Sequence, residues 1–183
     1  MENYRKPRRT SVAAFTLLEL LTAVVVVAIL ATMTVGVVGT MRGKADVGNC
    51  SSNLRNLYGA VTTYMVDKGE WPQISTKTFG KPQYALNWIH AMEPYGMSRK
   101  NWVCPAVQRA SGHPDLYVEK NTRIDYFATP FDTRQNAPWQ FARQPWFIER
   151  GSMHGDGNLM IFASGQVKSL KEVLRDTPKT ISE

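Results

Sequence analysis

The hydrophobic pattern divides the chain into three regimes. From Leu20 to Met41 a run of 22 residues carries no charged side chain. As a helix it would measure about 33 Å at about 1.5 Å per residue, enough for a bilayer core. Its many valines do not forbid a helix, because a backbone in lipid must satisfy its own hydrogen bonds. Beyond Met41 the pattern turns amphipathic. Val47, Cys50, Leu54, Leu57, Val61 and Tyr64 recur at spacings of three and four, with Asn53, Arg55, Asn56 and Thr63 between them. No proline lies between Pro7 and Pro72, so one helix is predicted to run through both regimes. It should stop at Asp67–Lys68, with Gly69 as its cap and Pro72 beyond. The third regime is mixed. Residues 84–96 read as a short amphipathic helix, 123–131 as a strand, and 158–170 as a hairpin turning at Ser164–Gly165. Residues 101–106 and 112–122 read as loops, and 171–176 as a last helical turn. The predicted class is α+β: a long N-terminal transmembrane and stalk helix packed on a small antiparallel β-sheet head.

Composition and charge refine this picture. The 183 residues are 43% hydrophobic and 20% charged, as expected of a chain that folds. The net charge of +7 is uneven. Arg5, Lys6, Arg8 and Arg9 against Glu2 give residues 1–14 a charge of +3, leaving +4 for the rest. The remaining basic residues are scattered among acids, which argues against nucleic acid as a partner. A basic leader before an apolar run predicts a cytoplasmic N-terminus and an outward-facing head. Cys50 and Cys104 form no CxxC pair and support no zinc site by spacing. They are candidates for one disulfide in an oxidising compartment, or for two buried thiols.

Glu19 is the costly residue of the apolar segment, because an ionised group at membrane depth costs at least about 2.5–3.5 kcal/mol and needs a partner. Cleavage between Ala14 and Phe15 would create one, a new α-amino group at Phe15 with Glu19 one helical turn away. The stretch "AFTLLELLTAVVVVAILA" resembles the prepilin cleavage and methylation motif of type IV pilins and type II secretion pseudopilins. Phe15, Thr16, Leu17 and Glu19 match the motif, and Ala14 stands where the family usually has glycine. "MHGDGNLMIFASGQVKSL" and "CPA" at 104–106 resemble the C-terminal hairpin and a Cys-Pro turn of pseudopilin-like families abundant in planctomycete-type and verrucomicrobial-type bacteria.

The resemblance implies a pilin-like plan. Residues 1–14 are a cleaved cytoplasmic leader, 15–41 a transmembrane helix, 42–69 a stalk helix and 70–183 the α+β head. It implies cleavage at Ala14–Phe15, N-methylation of Phe15, and Glu19 setting assembly register. Its implied partners are a prepilin peptidase and N-methyltransferase, other pilin or pseudopilin subunits, and an inner-membrane assembly platform. The implied location is the bacterial inner membrane, single-pass, with a periplasmic head and a fibre in the periplasm or at the cell surface. The role expected is a structural subunit of a pseudopilus or type IV pilus serving protein secretion, and not an enzyme. A DNA-binding minor pilin and an anchored envelope protein with a hydrolytic head are the alternatives.

Other chemistry is sparse. Ser152, His154 and Asp156 share one Gly-rich loop, and such close alternation seldom converges into a triad. His90, His113 and His154 have no metal-ligand spacing, so no metal residue is assigned and no cofactor is expected. Asp156, with Asn158, is the weak candidate for Ca²⁺. The aromatic and basic stretch 137–150 reads as core rings or as a surface for a partner or single-stranded DNA.

Overall fold

A computed structural model of the chain describes residues 15–111, 122–134 and 136–176. The leader 1–14 with Ala14, the histidine at 113 and the polar tail after Asp176 lie outside the described residues. Two compact units divide between Met41 and Arg42, inside the first helix, so residues 42–69 cluster with the head.

Helix α1 spans Leu17–Lys68. Its start is closed by a reciprocal pair of contacts: the Glu19 backbone N–H donates to Thr16 Oγ1 at 3.2 Å, and Glu19 Oε2 accepts from the Thr16 backbone N–H at 2.9 Å. This is a capping box, which satisfies two orphan donors at once. The helix ends where the sequence predicts, with the N–H of Gly69 bonded to the carbonyl of Met65 and φ at +77°. The stripe behaves as core: Cys50, Leu54, Leu57 and Val61 are fully buried, and Val47 and Tyr64 pack at its margin.

The head follows as α2 (Pro82–Met92), α3 (Pro105–Ser111), β1 (Tyr126–Ala128), α4 (Ala137–Gln140), β2 (Pro145–Glu149), β3 (Leu159–Phe162), β4 (Val167–Ser169) and α5 (Leu170–Asp176). The four strands form one antiparallel meander in chain order. Strand β2 lies inside the aromatic and basic stretch 137–150: Trp146 and Phe147 are buried in the core, as the core reading of that stretch expects, while Trp139 and Phe141 are exposed. The loop predicted around Cys104 forms helix α3 from Pro105, where proline suits a first helical turn.

The α+β class with a small antiparallel sheet stands, but the transmembrane stalk does not. Among the described residues no helix is long and apolar enough to cross a membrane. Helix α1 has the length, but its described part falls short in apolarity. The single-pass inner-membrane location falls with it.

Two local features carry predictions. Gly157 has φ +89°, and a Cβ there would lie 2.7 Å from Leu170 Cβ. Gly157→Ala therefore adds a backbone penalty to a clash with the start of α5, and is expected to cost about 1–3 kcal/mol in chemical denaturation. Asp46 is buried on α1 and receives a two-pronged ion pair from Arg109, at 2.6 and 2.7 Å. Hydrogen bonding to Arg109 holds its carboxyl below the usual range. The folded pKa is depressed, so this contribution is complete above the unfolded value of about 3.9 and fades as pH falls through the folded one. Arg109→Met should destabilise the protein at neutral pH, by leaving the Asp46 carboxylate without its partner. The gap between the two proteins should close in denaturation curves taken below about pH 4.

Candidate functional site

Two features are candidates. The first is the N-terminal part of α1. From Leu17 to Met33 the apolar side chains are exposed all round: Leu17 83%, Leu20 64%, Val24 60%, Val27 64% and Met33 68%. A helix that is apolar on every side must be covered by something. Phe15 stands just before it, 85% exposed, and Glu19 caps it.

The second feature lies in the head. Four ligand atoms, from Cys50, Cys104, Glu149 and His154, lie within 4.8 Å of one another. Each comes from a different segment: Cys50 from α1, Cys104 from the residue before α3, Glu149 from the end of β2, and His154 from the loop between β2 and β3. The stripe of α1 turns Cys50 inward, and the sheet brings Glu149 beneath it. The two Sγ atoms are 2.8 Å apart, and both cysteines are free thiols. His154 Nε2 lies 3.0 Å from Glu149 Oε1 and 3.7 Å from Cys104 Sγ. The side chains of His154 and Glu149 are 2% and 0% exposed.

A surrounding layer fixes these groups. Glu149 Oε2 accepts the backbone N–H of Leu159, and the carbonyl of Glu149 accepts from Asn158 Nδ2. The backbone N–H of Cys104 donates to Asp125 Oδ2 at 3.0 Å. Asp125 is fully buried, and Arg123 Nε lies at ion-pair distance from its other oxygen, 3.0 Å. Burial pushes the Asp125 carboxyl up, and Arg123 opposes that shift. Asn53 Nδ2 bridges the carbonyl of Val103 and the Tyr126 hydroxyl. The Cys50 thiol is pushed up, first by its contact with Cys104 and then by burial. Burial likewise raises Tyr126.

The residues singled out by sequence separate cleanly. His154 faces the cysteines and Glu149, while Asp156 pairs with Lys171 at 2.9 Å and Ser152 is exposed. The three therefore make no triad. A Cys104–His154–Glu149 relay is not formed either, because both contacts fall on Nε2 and a relay needs both ring nitrogens. For the Ca²⁺ reading, Asp156 and Asn158 are engaged separately, by Lys171 and by the carbonyl of Glu149. Sequence reasoning missed the Cys/Cys/Glu/His convergence, because the four positions share no motif spacing. No family model matches the chain, and neither a curated protein nor a solved structure resembles it significantly.

Proposed function

We propose that this chain is a prepilin-like structural subunit, processed between Ala14 and Phe15, methylated at Phe15, and polymerised through the N-terminal part of α1. The observation that carries the reading is the apolar helix 17–33, exposed on every face, with a single acid at its start. Copies of the same helix are its occupants. Side-by-side packing removes the apolar surface from water, at about 25 cal/mol per Å² buried. In that apolar bundle the Glu19 carboxylate needs a cation, and the new α-amino group of Phe15 on a neighbouring copy supplies one without adding a basic side chain. The head, anchored on residues 42–68 of α1, is then displayed along the polymer for contact with other components of a secretion or pilus machinery.

The test is recovery of the chain in a sedimenting polymer from cells that make it natively, followed by hydrogen exchange. The reading expects the amides of residues 17–33 to be the most protected part of the polymer. A chain found only as a monomer, in cells that process it, would end the proposal.

A further inference from the structure

The geometry points to a structural Zn²⁺ site in the head, held by Cys50 Sγ, Cys104 Sγ, Glu149 Oε1 and His154 Nε2. The inference goes beyond polymer assembly and does not rest on it.

Three observations carry it. First, the donor set of two sulfurs, one imidazole nitrogen and one carboxylate oxygen is one that Zn²⁺ takes in closed four-coordinate sites. Second, His154 Nε2 is addressed by both Glu149 Oε1 and Cys104 Sγ. One ring nitrogen offers one proton or one lone pair, so without an ion it can serve both neighbours only through one shared, bifurcated hydrogen bond. An ion among the four atoms gives all of them one common partner. Third, the ligands are already oriented by a second layer, as metal ligands usually are. Asp125 holds the Cys104 backbone, and the Leu159 N–H holds the other oxygen of Glu149, leaving Oε1 facing inward.

The distances are close to what the ion requires. Zn–S bonds of about 2.3 Å and Zn–N or Zn–O bonds of about 2.0–2.2 Å put tetrahedral ligand atoms about 3.3–3.8 Å apart. The histidine contacts at 3.0 and 3.7 Å need little change. The sulfurs, at 2.8 Å, must open by about 1 Å, which a small turn of either cysteine side chain provides. On binding, each thiol loses its proton to solvent and Glu149 coordinates as the carboxylate. A surface cavity of about 250 Å³, lined in part by Val47, His154, Gly157 and Lys171, reaches the histidine and provides an entry path. Because all four positions are protein side chains from separate segments, the ion would staple α1, the start of α3, β2 and the β2–β3 loop together.

The experiment uses the full chain, produced with zinc as the only added transition metal and alkylated during denaturation to trap its thiols. Metal is counted by mass spectrometry, and a parallel sample is loaded with Co²⁺. The expected result is one zinc per chain, two alkylated cysteines, and Co²⁺ absorption showing tetrahedral bands with thiolate charge transfer. Cys104→Ser should lose the thiolate band intensity. His154→Ala removes a side chain that is 2% exposed, so its fold is checked by circular dichroism first; it should weaken zinc binding by at least about tenfold. Chelation should lower the melting temperature of the wild type and leave that of His154→Ala unchanged. Zinc no more abundant than in a Cys50→Ser/Cys104→Ser double variant would overturn the site. A Cys50–Cys104 disulfide in protein from its native host would overturn it equally, since it removes both thiolates.

Discussion

Replacing Trp71 with alanine is expected to destabilise the head by about 3–5 kcal/mol, a large share of the stability of an ordinary domain. Trp71 is 1% exposed and follows the end of α1. Its ring meets Trp88, Phe131, Trp146 and Phe147, at centroid distances from 4.9 to 6.3 Å. It therefore joins the face of α2 to strand β2 and to the segment after β1. Truncation leaves a cavity bounded by rigid rings, which cannot collapse to fill it, so the cavity penalty adds to the lost transfer energy. Trp139 is the internal comparison. It is 43% exposed, and among the described residues its ring pairs with Trp146, at 4.6 Å. Trp139→Ala should cost about 0.5–1.5 kcal/mol. Chemical denaturation of both variants, with unchanged denaturant slope, checks the difference.

The second large effect falls on Glu19. Within one chain it closes the capping box with Thr16; in the proposed polymer its charge also answers a neighbour's α-amino group. Two substitutions separate these roles. Glu19→Ala removes both the capping-box acceptor and the charge. Glu19→Gln retains an acceptor suited to the capping box but removes the charge. Both variants are expected to be cleaved normally and to enter the polymer at least about tenfold less than the wild type, because a lost partner for a buried charge exceeds 1.4 kcal/mol. Normal incorporation of Glu19→Gln, with a defect confined to Glu19→Ala, would reduce Glu19 to a helix cap.

Much of the head was legible in the sequence where a period repeats. The stripe from Val47 to Tyr64 fixed which face of α1 is buried, and Gly69 fixed its end. The hairpin at 158–170 followed from alternation around Ser164–Gly165, where Gly165 takes φ +75° against the Tyr58 ring. Strand β2 was obscured because Pro145, Trp146, Phe147 and Ile148 form a continuous apolar run with no alternation, so the rings could be assigned to the core or to a surface, but not to a strand. The T-x-x-E capping box is also legible at Thr16–Glu19, where the same carboxylate serves as a local cap. The membrane expectation rested on length and absence of charge over 20–41, and the described helix does not meet it. Of the Cys/Cys/Glu/His cluster only the cysteines were readable, as a candidate pair; their convergence with Glu149 and His154 was not. Its members are up to 104 positions apart, from Cys50 to His154, and only the meander brings Glu149 and His154 under α1.

The most direct measurement is the mass of the N-terminal peptide of protein taken from its native cells. The account predicts a peptide that begins at Phe15 and carries one added methyl group. A peptide that begins at Met1, from cells whose prepilin peptidase is active on other substrates, would contradict it.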